Sequence, residues 1–563
     1  MQMSNHESMQ PWLKNYPAGI SANIDPNLYP NLMTVFDEAV RKFRGHRAYS
    51  NMGTVFTFEE LDRLSGNFAS FLQNELKLKK GDRIALQMPN LLQFPVALFG
   101  ALRAGLTVVN TNPLYTAPEM KHQFRDSGAK AIVILANFAG LLEKVLPETD
   151  IESVIITEIG DMLPFPKNWV VNNVVKHVKK MVPPYHLPEA YKFRQALEVG
   201  ASKPYQSVEC HHEDIAFLQY TGGTTGVSKG AVLTHRNVIA NMLQIVEWMR
   251  PALKPGEGAI ITALPLYHIF SLVVNCLTLM HYGAENILIT NPRDIPGFIK
   301  ILKSSNFTVV AGVNTLFNAL MNDPEFEKID FSNLKLSVAG ATALQRVVSD
   351  RWFKITKTKI VEGYGLTESS PVVTCNPVDG TEQIGTIGMP VPSTSVKLVN
   401  DDGIEVARGE PGELCVKGPQ VMRGYWNRDD ETRKTIKDGW LYTGDVAVLL
   451  EDGFFKIVDR KKDLILVSGF NVYPNEVEDA IASHPKVLEV AVVGVADEKS
   501  GEAVKAFVVK RDPSLTAQEV IEHSRKSLTN YKVPRSVEFR TELPKTNVGK
   551  ILRRALRETT PTK

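Results

Sequence analysis

Short apolar runs alternate with amphipathic helical stretches along most of this chain, and that alternation constrains its fold more than any other feature. Residues 57–60 (TFEE) have the capping-box pattern, and Leu61, Leu64, Phe68, Phe71 and Leu72 then follow at helical spacing. Gly81 and Asp82 turn into the apolar run 83–88, which predicts a strand. A second helix over 94–104 ends at Gly105 and leads into TVVN. Strands separated by helices predict parallel sheets flanked by helices. With 563 residues there is chain enough for several such cores, and no solenoid or propeller period is visible.

The last hundred or so residues read differently. VLEVAVVGVA (487–496) and AVKAFVVK (503–510) predict strands, with turn chemistry in DEKSGE between them. Residues 475–484 place Val477, Ala480 and Ile481 on one helical face. A capping box at 516–519 precedes a helix carrying Val520, Ile521, Ser524 and Leu528. The expected class is α/β: a large N-terminal domain of parallel-sheet subdomains flanked by helices, residues 1–458, and a small α+β C-terminal domain, residues 459–563. The cluster DRKKD (459–463) stands at the joint and reads either as a solvated loop or as a hinge.

Charge and cysteine usage exclude several classes. Sixty-four basic and 62 acidic side chains leave a formal net charge of +2, so nucleic acid is not an expected partner. Cys210, Cys276, Cys375 and Cys415 lie far apart, which argues against a disulfide framework or zinc site and fits a reducing cytosol. The N-terminus has no charged region followed by an apolar run. The most apolar segment, 259–280, is interrupted by Pro265, Tyr267, His268 and Asn275 and reads as buried core rather than a membrane span. The expectation is a soluble cytoplasmic protein.

Four segments carry chemistry. YTGGTTGVSKGA (220–231) looks built for phosphate but fails G-x-x-x-x-G-K-[ST], because Val227 and Ser228 stand five residues after Gly222 and Gly223. Backbone amides of Gly222, Gly223 and Gly226 can approach phosphate oxygens, Thr221, Thr224 and Thr225 add hydroxyl donors, and Lys229 adds a point charge; a plain surface loop is the alternative. In VEGYGLTESSP (361–371), Gly363 and Gly365 bracket Tyr364, whose ring can lie against a flat base. Thr367 and Glu368 follow, and a lone carboxylate beside phosphate is how proteins commonly hold Mg²⁺; a capped helix start is the ordinary reading. Asp445, after Gly444, can accept both hydroxyls of a ribose or be a turn aspartate. PKTNVGKILRR (544–554) presents Lys550 after Gly549 at an expected helix start, where an exposed lysine ordinarily serves solubility.

In this order and spacing, from about residue 34 to 554, the four segments resemble the adenylate-forming (ANL) superfamily of acyl-CoA synthetases, luciferases and peptide-synthetase adenylation domains. LPLYHIF, NPRDIPG, VNTLFNAL, GELCVKGPQVM and VDRKKDLILVSGFNVYPNEVED are similar to the bacterial long-chain fatty acid–CoA ligases. The resemblance implies an AMP-forming enzyme that joins a fatty acid to coenzyme A through an acyl adenylate, with ATP and CoA as co-substrates, for β-oxidation or lipid synthesis. It implies that the glycine-rich loop holds the departing pyrophosphate, that Glu368 with Thr221 binds Mg²⁺, and that Lys550 bridges carboxylate and α-phosphate. Adenine is expected between Gly340, Ala341, Thr342 and Tyr364, beside Glu362, and the ribose on Asp445 and Arg460. The C-terminal domain is expected to swing about Asp459, bringing Ser468, Gly469 and Phe470 to the pantetheine channel. His268, Gly312, Val313, Val338 and Gly340 are the expected acyl-site residues. Leu466 replaces a lysine of many relatives, so no nucleotide contact is carried to it.

Rival readings are an aryl-CoA ligase of the coumarate type, an adenylate donor to a carrier protein, and a scaffold without catalysis. The uninterrupted VDRKKDLILVSGF opposes the second, and the presence of Glu368 and Lys550 opposes the third. Lipid binding without chemistry would leave the ATP constellation unexplained. Residues 167–182 place Val171, Val174, Val175, Val178 and Val182 on one stripe beside Lys176, Lys179 and Lys180. That stripe reads either as packed on the domain or as lying at an anionic inner membrane. Homodimers occur in the resembling family, and no segment of the sequence shows an interface.

Overall fold

The computed structural model describes residues 10–221, 227–497, 499–546 and 549–558. Among these residues the strands form four sheets. An eight-stranded sheet contains six strands joined by five parallel pairings, and Lys229–Thr234 adds antiparallel to Ile215–Thr221 at one side. A nine-stranded sheet has a parallel centre running from Ile360–Gly365 through Leu336–Ala339, Val309–Gly312, Ala259–Thr262 and Glu285–Leu288 to Arg47–Asn51. Both are covered on their faces by helices, which is why a strand such as Ala131–Leu135 (AIVIL) is buried at every residue instead of alternating. The helix Phe58–Asn74 begins as expected: Thr57 Oγ1 accepts from Glu60 N at 3.1 Å while Thr57 N donates to Glu60 Oε2 at 2.9 Å. Residues 259–280 are buried core, and among the described residues no helix is long and apolar enough to cross a membrane.

A third, antiparallel sheet includes Trp440–Leu449 and Phe455–Arg460, paired so that Asp445 faces Arg460 and Val446 faces Asp459. The chain then passes through Lys461–Asp463 into a separate five-stranded sheet built only from residues beyond 464. Here Val487–Asp497 and Gly501–Lys510 pair along their lengths. The helices Pro474–Ala482 and Ala517–Arg525 bury Val477, Ile481 and Val520 against this sheet, and Thr516 caps the second as expected. This small C-terminal unit docks on the large one: Thr315 Oγ1 donates to Gly549 O at 3.1 Å, and Asn318 Nδ2 to Leu488 O at 3.3 Å.

Two local expectations differ from the structure. The helix expected at Lys550 starts at Arg553, because Thr546 exchanges bonds with the Lys550 backbone and Lys545 bridges Ile551. The valine stripe is also divided. The helix Lys167–Asn173 widens into a π turn over Val174–Val178, so Val171, Val174, Val175 and Val182 are partly buried and only Val178 is exposed.

Candidate active site

Several of the residues singled out in the sequence lie at the carboxyl ends of parallel strands, where loops can diverge and leave a crevice. Thr221 ends one strand of the eight-stranded sheet. Gly312 and Val313, Val338 to Gly340, and Glu362 to Gly365 end three neighbouring strands of the other. Gln219 Nε2 donates to Tyr267 O at 2.7 Å, tying the eight-stranded sheet to the segment that follows Ala259–Thr262 of the other. Gly222, Gly223, Thr224, Thr225 and Gly226 lie outside the described residues. The flanks of their loop are anchored: Tyr220 OH donates to Asp126 Oδ2 at 2.6 Å, and His122 Nε2 lies 2.8 Å from Ser228 O.

Ala339 pairs with Glu362, so Gly340 and Gly363 follow side by side. Thr342 N donates to Gly340 O at 2.8 Å, and Thr342 Oγ1 is buried without a partner among the described residues. The Glu362 carboxylate accepts from Leu344 N and Gly385 N, each at 3.1 Å. Burial pushes it up to about 7 against the pull of those two bonds. Tyr364 OH donates to Asp445 Oδ2 at 2.7 Å, and Arg460 Nε lies 3.4 Å from Asp445 Oδ1. Gly365 is needed for close approach: a Cβ there would sit 1.9 Å from Pro371 O.

Thr367 to Ser369 form a single 3₁₀ turn packed on the strands Ile215–Thr221 and Lys229–Thr234. Glu368 Oε1 accepts from Tyr425 OH at 2.7 Å, while Oε2 has no partner among the described residues. The Lys229 ammonium is not free to serve as a bare point charge. It pairs with Glu431 and lies 5.1 Å from the Tyr425 ring centroid. His268 Nδ1 accepts from Phe270 N at 3.3 Å. Burial pushes this imidazole down to about 4, and the charge of Lys550 pushes in the same direction. A Cβ on Gly312 would meet Phe317 Cζ at 3.0 Å, and one on Gly340 would meet Phe270 Cε1 at 3.0 Å, so rings rather than open space adjoin these glycines.

Lys550 reaches this cluster from the small unit, partly buried. Burial pushes its ammonium down to about 7; Arg460 adds to the shift, Asp445 opposes it, and Arg553 and Lys462 add smaller contributions. Ser468, Gly469 and Phe470 are not brought here. Ser468 and Gly469 turn with φ of 52° and 83°, Ser468 N donates to Ser500 O at 2.7 Å, and Phe470 lies exposed against Tyr531. Sequence reading passed over Tyr425, Glu431 and Arg553. The pair Tyr425-Trp426 just ahead of the charge run DDETRK was the available signal for the first two.

A strand-end crevice of this kind, with an aromatic ring and a carboxylate on one wall and a lysine delivered by a second unit, marks an enzyme acting on a nucleotide. Comparison with known proteins agrees. The AMP-binding enzyme family matches residues 36–426, and the AMP-binding enzyme C-terminal domain matches residues 476–550. A long-chain-fatty-acid–CoA ligase of Escherichia coli O6:H1 is 58% identical over 547 residues, 97% of this chain and 98% of that one. One from Bacillus subtilis is 38% identical, with 98% of each covered. The crystal structure of ATP-bound MatB from Rhodopseudomonas palustris superposes with a TM-score of 0.80 at 27% identity, covering 94% of this chain and 99% of that one. The chain belongs to the AMP-binding enzyme family, within the adenylate-forming long-chain acyl-CoA synthetases.

Proposed function

We infer that this chain is an AMP-forming long-chain fatty acid–CoA ligase, which converts ATP, a fatty acid and CoA to acyl-CoA, AMP and diphosphate. The observation that carries the reading is the docking of the Lys550 segment at a strand end of the crevice, where Thr315 Oγ1 donates to Gly549 O at 3.1 Å, with the lysine close enough to share charge interactions with Asp445, Arg460 and His268. A fatty carboxylate is a weak nucleophile and is repelled by the ATP phosphates, so the first step needs two anions held in line with their charge offset. In this proposal Asp445 and Arg460 hold the ribose, and Gly340 to Thr342, Glu362 and Tyr364 frame the adenine. Thr221, the 222–226 loop and Lys229 hold pyrophosphate, with Glu431 holding Lys229 in place. Lys550 donates to the carboxylate and α-phosphate oxygens as the acyl–phosphate bond forms and pyrophosphate leaves.

Glu368 fits a Mg²⁺ site of the sparse kind: one partly buried carboxylate with an oxygen open among the described residues, on a turn packed against the strand that Thr221 ends. A magnesium ion held by Glu368 and Thr221 would offset phosphate charge. Tyr425 fixes the direction of the carboxylate.

The thiol of CoA then attacks the acyl carbonyl, and AMP leaves. Ser468, Gly469 and Phe470 border the pantetheine channel in this reading, after the small domain, residues 459–563, swings about Asp459. His268, Gly312, Val313, Val338 and Gly340 border the acyl site, with Phe270 and Phe317 as the rings a chain must displace or pass. The coumarate-type alternative is less supported, because the relatives described above carry the long-chain name. Incubation with oleate, Mg·ATP and CoA tests the function, with coumarate as rival acid. AMP and oleoyl-CoA formed together, and oleate-dependent pyrophosphate–ATP exchange without CoA, are the expected results. ADP in place of AMP would sink the mechanism.

The reading extends to a peripheral place on an anionic membrane. The surface that supports it is not the valine stripe: Phe165 is 83% and Trp169 63% exposed, Val170, Val178 and Met181 are exposed nearby, and Lys176, Lys179 and Lys180 stand among them. No acidic residue occurs from 162 to 188. A lysine near an anionic surface contributes about 1 kcal/mol. Replacing Lys176, Lys179 and Lys180 by glutamine is therefore expected to lower co-sedimentation with phosphatidylglycerol vesicles on the order of a hundredfold. Binding that survives this change unaltered would remove the surface from the proposal.

A further inference from the structure

The side chain of Arg553 gathers the joint of the molecule onto the segment that carries Lys550. It is the first residue of the helix Arg553–Glu558, three positions beyond Lys550, and its side chain is largely buried. Its guanidinium grips Glu478 with both forks, Nε to Oε1 at 3.1 Å and Nη2 to Oε2 at 2.8 Å. Nη2 also donates to Asn475 Oδ1 at 2.6 Å. Nη1 donates to Asp459 Oδ1 at 3.2 Å and lies 3.6 Å from Asp463 Oδ2. One side chain thus joins the helix Pro474–Ala482, the turn Lys461–Asp463 and Asp459 itself.

Asp459 is the unusual member. Its backbone belongs to the large unit's antiparallel sheet, opposite Val446. Its buried carboxylate is held from the other direction, Oδ2 accepting from Asn475 N at 2.9 Å and Oδ1 from Arg553 Nη1 at 3.2 Å, while Oδ1 also accepts from the neighbouring Arg460 N at 2.7 Å. Arg460, the next residue, carries the guanidinium beside Asp445. Any change in how Arg553 holds Asp459 therefore alters the angle at which the Lys550 segment enters the crevice. The arrangement is costly as stability alone, since buried charges must recover their lost hydration from partners. A planar fork meeting a carboxylate in two parallel bonds supplies direction as well as charge.

We propose that Arg553 is a positioning residue for the adenylation step: by clamping Asp459 and Glu478, it fixes Lys550 in the crevice while the acyl adenylate forms. The proposal rests on the ligase reading above. It predicts a selective defect, since transfer to CoA takes place after Lys550 has left in that reading. A displacement of about 1 Å in a reacting group can cost on the order of a hundredfold.

The test is a double-mutant cycle between Arg553→Gln and Lys550→Ala, with the two half-reactions read separately on the full-length chain. Oleate-dependent pyrophosphate–ATP exchange is expected to fall roughly tenfold to a hundredfold in Arg553→Gln. Transfer from preformed oleoyl adenylate to CoA should stay close to wild type. In the double variant, exchange should fall no further than in Lys550→Ala alone, because the arginine acts through the lysine. Arg553→Lys keeps the charge but not the fork, so it should recover only part of the loss. Glu478→Gln offers an independent route to the same defect if Arg553→Gln does not fold. Equal losses in both half-reactions, full additivity with Lys550→Ala, or unchanged exchange in the folded variants would each overturn the proposal. Absence of oleate-dependent exchange in the wild type would instead count against the ligase reading and be visible before any variant is made.

Discussion

Lys550→Ala is expected to lower oleate-dependent pyrophosphate–ATP exchange by about 10²–10³-fold, the cost typical of removing one preorganised donor from a reacting oxyanion. Transfer of oleoyl from preformed adenylate to CoA should change little in the same variant, because that step is expected to proceed with the lysine elsewhere. The pH dependence is equally specific. Burial first, and the Arg460 charge second, push the ammonium down to about 7. In the free enzyme Lys550 is charged below that pH and neutral above it. The value of kcat/KM for adenylation should therefore fall as pH rises through about 7, since this parameter reports the free enzyme. The kcat profile should be displaced upward, because the two substrate anions favour the charged form once bound. Stability has its own sign. The folded chain binds fewer protons at this lysine than the unfolded chain between about 7 and 10.5, so this group makes stability rise with pH across that window. Lys550→Ala should remove both the falling limb and that contribution. A wild-type profile of kcat/KM that stays flat from pH 6 to 9 would show that Lys550 does not carry the charge used in the first step.

What was legible in the sequence was mostly local. The capping boxes at Thr57 and Thr516 need only residues three apart, and both form as read. The apolar run 83–88 reads as a strand, and Arg83–Gln87 is a parallel strand buried at four of its five residues. Pairing across long separations was not legible: Tyr49 of one strand sits beside Asn286 of another, and nothing in either segment names its neighbour. The start of the last helix was misplaced for a physical reason. A glycine followed by an apolar run resembles a helix entry, but Thr546 closes a turn on Lys550 and delays it. The candidate site divides in the same way. Glu362, Tyr364, Asp445, Arg460 and Lys550 each sit in a compact motif whose spacing carries meaning. Tyr425, Glu431 and Arg553 act by touching a residue far along the chain, and only coordinates reveal that Tyr425 directs Glu368 or that Glu431 holds Lys229.

Asp445→Ala is expected to raise the KM for ATP roughly a hundredfold, equivalent to about 3 kcal/mol. The carboxylate is already engaged, by Tyr364 OH at 2.7 Å and Arg460 Nε at 3.4 Å, and it is buried. Those two groups fix its plane without saturating it, since an ionised carboxylate can accept about four hydrogen bonds. Two ribose hydroxyls donating to it would each contribute about 1.5–3 kcal/mol, the range for bonds to charged groups. The expected loss sits at the lower end of their sum because Tyr364 and Arg460 already draw on the same oxygens. Truncation also removes the acceptor of the Tyr364 hydroxyl and leaves Arg460 without its carboxylate, so Asp445→Asn, which keeps an acceptor and loses the charge, should fall between. The nucleotide supplies the complementary deletion. With 2′-deoxy-ATP the wild type should lose part of the same affinity, whereas Asp445→Ala should hardly distinguish the two nucleotides, because the hydroxyl no longer has a carboxylate to meet. Full discrimination retained by the alanine variant would place the ribose elsewhere and leave Asp445 only the task of holding Tyr364 and Arg460.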